Sequence, residues 1–299
     1  MTGGGEDPRE LVDPTTGRPV LMAPIRQRRP MQTDPAAAAG PCPFCAGNEA
    51  MTPPTVAAVP GGTAGAWTAR AFANKYPAHP HHEVIAEGAA HTEQPCDLPA
   101  AVWRDVVALW QQRLRALEAR PDVGCAFLFK NTGALAGASI AHNHSQLLGL
   151  RVPPPRLLLE HECARALPRC PWCATLATAT DEGRVVYANQ SHVVFAPEPP
   201  KLPNETWLLP RRCDDDFLTT DAGGLADALH ALFTATARAL DRPAFNFWLH
   251  RLPRARFHWH FELQPRTGQM AGLELGGDMY INSIPAATAA ARLRQGLLP

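Results

Sequence analysis

Two tetrapeptides of one design, Cys42-Pro43-Phe44-Cys45 and Cys170-Pro171-Trp172-Cys173, contain four of the eight cysteines of this 299-residue chain. A Cys-x-x-Cys pair either cycles between dithiol and disulfide or donates two thiolates to a metal. Neither pair has a thioredoxin-like strand and helix beside it, and the tetrapeptide occurs twice, so the pairs read as metal ligands. Each is followed by two more donors. His91 lies 46 residues after Cys45 and His142 lies 97 after it. Cys213 and His258 hold similar places after Cys173, His258 at 85 residues. Four nitrogen or sulfur donors with no open position suit a structural tetrahedral zinc. The expected sets are Cys42, Cys45, His91 and His142, then Cys170, Cys173, Cys213 and His258, for two zinc ions.

The densest chemistry lies between Asn131 and Gln146. Gly133, Gly137 and Ser139 stand in a run of small residues after an apolar strand, and His142-Asn143-His144-Ser145-Gln146 follows. Small residues let backbone N–H groups approach a phosphate. On an extended strand His142, His144 and Gln146 share one face. Taken alone, His-x-His suits two metal ligands as well as one ligand and one nucleophile. With His142 on zinc, His144 is a largely neutral imidazole free to attack phosphorus.

The elements that must position these groups repeat. After Cys45 come strands around residues 67–72 and 82–86, a helix over about 99–120 and a buried strand from Cys125. After Cys173 come strands near 185–187, 193–195 and 206–209, a helix over about 222–240, then strands near 245–249 and 257–261. The matching order predicts a duplicated α+β unit, with halves 1–155 and 156–299. The first carries the catalytic motif and one zinc set, the second the other zinc set.

Lys plus Arg and Asp plus Glu both number 28, so no global field recruits nucleic acid or a membrane surface. The start, from Met1 to Asp7, lacks the apolar core of a signal peptide, and no run of eighteen apolar residues occurs. A cytoplasmic enzyme is expected.

The motif Gly137-Ala138-Ser139, His142-Asn143-His144, Gln146, with its upstream Cys-x-x-Cys, resembles galactose-1-phosphate uridylyltransferase and its relatives in the histidine-triad superfamily. Asp13 to Arg18 and Ala23 to Pro30 resemble that family's N-terminal opening, Cys42 to Asn48 its metal and base loop, and Phe72 to Pro77 its nucleoside strand. Gly272-Leu273-Glu274 resembles its sugar-proximal segment. The resemblance implies antiparallel sheets with flanking helices in two histidine-triad-like halves. It implies that His144 becomes nucleotidylated in ping-pong transfer from a nucleotide sugar. Gln146 and Ser139 would hold phosphate oxygens, Arg26 and Arg29 would clamp phosphates, and Asn131 would meet the diphosphate or sugar. Phe72, Asn74, Gly137 and Glu274 complete the expected substrate contacts, and a homodimer is expected.

Three departures bear on specificity. Asn143 stands where proline is frequent, Lys75 where an acid often binds ribose, and Leu275 to Met279 lack a glutamine common in hexose uridylyltransferases. The leading expectation is exchange between a UDP-sugar and a hexose 1-phosphate. Phosphorolysis of an ADP-sugar by inorganic phosphate is the alternative, and a zinc- and nucleotide-binding module without turnover is the third reading.

Overall fold

The computed structural model describes residues 7–29, 40–61 and 66–298. Residues 1–6 and Pro30, which entered the sequence reading, lie outside them. Strands β1 (Arg9–Val12) and β2 (Pro19–Met22) form a separate antiparallel ribbon. The others are β3 (Thr55–Pro60), β4 (Trp67–Ala73), β5 (His82–Glu87), β6 (Cys125–Thr132) and β7 (His144–Leu150), followed by β8 (Val185–Ala188), β9 (His192–Phe195), β10 (Thr206–Pro210), β11 (Phe245–His250) and β12 (His260–Pro265). These ten form one sheet in the order β3-β4-β5-β7-β6-β11-β12-β10-β9-β8. Each pairing is antiparallel, as the α+β expectation requires. The order reads alike from both ends. Its centre is the β6–β11 pairing, where Asn131 faces Asn246 and Phe129 faces Trp248.

Helices α1 (Ala100–Glu118) and α4 (Ala222–Ala239) cover one face; α2 (Pro155–Ala166), α3 (Pro171–Asp181), the short α5 (Gly272–Gly277) and α6 (Ala286–Gln295) complete the set among the described residues. The two long helices form where apolar residues recur at three and four. Trp103, Val106, Val107, Trp110, Leu114 and Leu117 are buried on α1, and Leu225, Leu229, Leu232, Phe233 and Thr236 on α4. Asp221 caps α4 by accepting from the N–H groups of Gly223 and Gly224. The remaining helices and β1 to β3 escaped the sequence reading.

Strand alternation divides the core. Ala69, Ala71, Ile85, Leu128, Leu147, Val194 and Leu208 point to α1 and α4. Their neighbours Phe72, Val84 and Ala86 form a cluster with Phe44, and Val193, Phe195 and Leu209 pack with Trp172 and Leu157. The side-chain period of two places these latter clusters on the opposite face.

One ion pair lies inside the helix-side core. Lys130 Nζ donates to Glu87 Oε2 at 2.6 Å and to the His144 carbonyl at 3.1 Å, with both side chains at most 1% exposed. Burial pushes the Lys130 ammonium below its usual range, opposed by Glu87. Truncating one member leaves the other charged and desolvated. Glu87→Leu should therefore lower unfolding stability in urea by about 3–5 kcal/mol, with much of the loss recovered by adding Lys130→Met.

Candidate active site

β7 carries the chemistry because its alternation separates two environments. Ser145 and Leu147 turn toward the helices, where Ser145 Oγ accepts from Trp110 Nε1 at 2.7 Å. His144 and Gln146 turn the other way, into a cleft of about 800 Å³. His142 precedes the strand and keeps that face, with Phe44 edge-on to both imidazoles at centroid distances of 6.2 and 5.2 Å.

The tautomer of His144 follows from its partner. Its Nδ1 lies 2.8 Å from the His142 carbonyl, which can only accept, so Nδ1 carries the proton and Nε2 keeps its lone pair. Burial pushes the imidazole down to about 3, so it is neutral near pH 7. The result is an uncharged nitrogen base lining the cleft.

The same logic applies to His142. Its Nε2 donates to the Gly88 carbonyl at 2.9 Å, leaving Nδ1 bare at 3.7 Å from Cys42 Sγ and 3.6 Å from Cys45 Sγ. His91 Nδ1 is 3.6 Å from Cys45 Sγ. All four donors lie within 4.8 Å of one another, a Cys₂His₂ set that fits a tetrahedral zinc. Burial and the adjacent Cys42 push the Cys45 thiol up to about 11.

In the second half, His258 Nε2 donates to the Pro210 carbonyl at 2.8 Å, and its Nδ1 lies 3.5 and 3.6 Å from Cys170 and Cys173. These three donors converge within 4.8 Å. The expected fourth, Cys213, is not in that close group. It lies near enough to help push the Cys173 thiol up, behind the larger effects of burial and Cys170.

The spacing argument missed a third convergence. Glu160, His250, His260 and Glu262 bring one donor atom each within 4.8 Å, with His250 Nδ1 2.9 Å from Glu160 Oε2 and His260 Nε2 3.6 Å from Glu262 Oε1. Two imidazoles and two carboxylates form a donor set for a divalent cation harder than one favouring thiolates. Lys201 donates to Glu262 Oε2 at 2.8 Å, so the group is already part neutralised. The four come from α2, β11 and β12, a juxtaposition that strand pairing creates and no local motif announces.

The cleft gathers Arg29, Phe72, Asn74, Ser139, His144 and Gln146 from the expected set, and adds Phe44, Met51, Pro53, Lys75 and Glu93. Arg29 Nε donates to Ser139 Oγ at 2.8 Å. Arg26 stands behind it, bonded to the Tyr76 carbonyl at 2.8 Å. Burial lowers both guanidiniums, Arg29 further through repulsion from Arg26, and neither has a carboxylate partner among the described residues. Uncompensated half-buried cations beside a nucleophile suit an anionic ligand.

The loop behind Ser139 depends on the second half. Gly133 has φ of +80°, and a Cβ there would stand 2.8 Å from the Ala244 Cβ, so only glycine fits. Asn246 Nδ2 donates to Asn131 Oδ1 at 2.8 Å and to the Ala136 carbonyl at 2.9 Å. Asn131 thus supports the loop and does not line the cleft; nor does Gly137, at φ of +83°. Glu274 is half-buried on α5, where it accepts from the Ala271 N–H and, at 3.3 Å, the Ile281 N–H.

No helix of the described residues is long and apolar enough to cross a membrane. The chain is 26% identical to ADP-glucose phosphorylase of Arabidopsis thaliana over 330 aligned positions, covering 94% of this chain and 93% of the relative. It is 24% identical to galactose-1-phosphate uridylyltransferase of Thermotoga maritima, covering 71% and 73%. The crystal structure of the Arabidopsis ADP-glucose phosphorylase with bound ADP-glucose superposes with a TM-score of 0.77 at 26% identity, over 97% of this chain and 99% of that one. A uridylyltransferase structure matches in fold with a TM-score of 0.79 at 24% identity, over 97% and 98%. A family model described as a domain of unknown function, DUF4921, matches residues 105–298. The chain therefore belongs to the DUF4921 family, with the histidine-triad-like fold shared by ADP-glucose phosphorylase and the uridylyltransferases.

Proposed function

We propose that this protein is a nucleotidyltransferase that carries a nucleoside monophosphate on His144. The observation that carries the reading is the bare Nε2 of a neutral His144, open to the cleft beside Gln146, Ser139 and Arg29. The Nε2 lone pair attacks the α-phosphorus of a nucleotide sugar. A P–N bond forms, the P–O bond to the sugar phosphate breaks, and sugar 1-phosphate leaves with the electron pair. An oxygen of a second phosphate then attacks, the P–N bond breaks, and Nε2 regains its lone pair. The Gln146 amide and Arg29 offset the charge that builds on the non-bridging oxygens. Glutamine is neither an acid nor a base near neutrality, so it cannot activate water, which favours transfer over hydrolysis.

Phosphorolysis of an ADP-linked sugar by inorganic phosphate is the better-supported version, because the likeness to ADP-glucose phosphorylase spans nearly the whole chain. Exchange between a UDP-sugar and a hexose 1-phosphate is the second reading, supported by a likeness over about seven-tenths of it. Zinc at the two Cys/His sets would hold the loops that carry Phe44 and His142 in place. A homodimer belongs to the same reading: Leu273, Leu275, Met279 and Ile281 are exposed around a Glu274 that does not line its own chain's cleft.

Incubation with an ADP-sugar or UDP-sugar and no acceptor should leave an acid-labile, base-stable adduct on His144, visible by intact-protein mass spectrometry. His144→Gly should abolish it at unchanged zinc content. Because His144 is depressed to about 3, adduct formation should hold constant from pH 7 to 5.5, where an imidazole of ordinary pKa would lose roughly tenfold. Undiminished turnover by His144→Gly would sink the covalent reading.

Elemental analysis should return two zinc ions per chain. Cys213→Ser should lower only the second, whereas His142→Ala should remove the first and destabilise the fold. Light scattering at micromolar concentration should give the mass of a dimer; a monomer removes the shared-site idea.

A further inference from the structure

Behind the cleft lies a buried histidine that the transfer scheme does not use. His82 begins β5, is 3% exposed, and lies diagonally across the β5–β7 pairing from Gln146, whose register partner is Val84. Its surroundings determine which nitrogen carries its proton. The backbone N–H of Ala78 points at Nδ1 from 2.9 Å, and a backbone amide can only donate, so Nδ1 must be bare. The proton of the neutral ring is then on Nε2.

Two side-chain amides flank Nε2: Gln146 Oε1 at 3.0 Å and Asn74 Nδ2 at 3.2 Å. Asn74 cannot rotate to accept, because its Oδ1 already accepts the Tyr76 N–H at 2.9 Å. Gln146 Oε1 is the remaining acceptor. We infer that His82 is a positioning residue: its Nε2–H fixes the Gln146 amide in the one orientation that turns the NH₂ group into the cleft beside His144.

The consequence is chemical. A glutamine side chain is nearly symmetric in shape, and a half-turn about its last bond exchanges an acceptor for two donors. Facing a phosphate, the acceptor repels and the donors attract. An unanchored Gln146 would divide its time between an orientation that favours the phosphorane-like transition state and one that opposes it. His82 removes the second orientation. Arg26 and Arg29 assist, since burial first and then these nearby guanidiniums disfavour protonation and keep the ring in a single neutral tautomer. This inference rests on the proposed role of Gln146 at a phosphate, so its test includes a measurement that needs no substrate.

That measurement is two-bond ¹H–¹⁵N correlation of the imidazoles in zinc-loaded protein, with His82 assigned by its disappearance in His82→Phe. Nδ1 should give an unprotonated, pyridine-type nitrogen and Nε2 a protonated one. The opposite tautomer, or fast exchange between the two, overturns the inference. Kinetically, His82→Phe should slow adduct formation on His144 roughly tenfold, the worth of one well-placed hydrogen bond, with zinc content and the folded state kept. His82→Gln, which restores an N–H donor, should recover most of the rate. His82→Phe and Gln146→Ala should be no slower together than Gln146→Ala alone. Multiplying effects overturn the coupling, as does a His82→Phe variant at the wild-type rate. A wild-type protein that takes up no nucleotide from any donor would remove the transfer reading and leave the hydrogen-bond direction to be decided by the imidazole spectra.

Discussion

The hydrogen bond from His144 Nδ1–H to the His142 carbonyl, at 2.8 Å, is the contact on which the chemistry depends. A free neutral imidazole samples both tautomers, and only one presents Nε2 as a nucleophile. Here the carbonyl two residues back makes the choice. That carbonyl is held in turn, because the His142 ring is pinned between the Gly88 carbonyl and the paired cysteines. On the far side Lys130 reaches up from the core to the carbonyl of His144 itself. The candidate metal donors, the core ion pair and the His144 imidazole therefore converge on three consecutive residues of backbone.

The second half repeats this wiring without its outcome. His260 Nδ1 lies 3.1 Å from the His258 carbonyl, as His144 does from that of His142, and the Pro210 carbonyl holds His258 as Gly88 holds His142. The difference lies two residues along. Gln146 pairs with Val84 and Phe129, whereas Glu262, in the same register, pairs with Trp207 and Trp248. A carboxylate repels a phosphate where an amide attracts it. Trp207 also packs at 5.3 Å from the His260 ring, and no glycine- and serine-bearing loop precedes it. These features set the second half apart from the first, whose face keeps the small-residue loop and the Gln146 amide.

The sequence made legible what rests on local pattern. The helical spacing of Val106, Leu109, Trp110, Leu114 and Leu117 locates α1 to within two residues of its observed ends, and the apolar run from Cys125 locates β6. Residue type and spacing brought Cys42, Cys45, His91 and His142 together correctly. What failed to appear was set by tertiary contact. Asn131 was expected at the substrate and instead supports the loop through Asn246, a partner 115 residues away. Cys213 sits in the right order but outside the tight donor group, since order along the chain does not fix a loop's approach to within an ångström. His82 opens a strand that also carries Glu83 and Glu87, and its meaning depends on the Ala78 N–H and Gln146, which only the fold brings to it.

The continuous pairing of β6 with β11 carries a mechanical consequence. Many transferases admit and release substrate by swinging two lobes about a hinge. Here the boundary between the two repeats is a run of backbone hydrogen bonds at the centre of a ten-stranded sheet, and opening it would break the sheet. Breathing of the cleft must then be local, confined to the segments that bear Phe44 and Ser139. One of these is tethered by cysteines, the other by Asn246. A ligand entering the cleft would then pass by loop-scale motion over this sheet, at a rate that follows the stiffness of those two tethers.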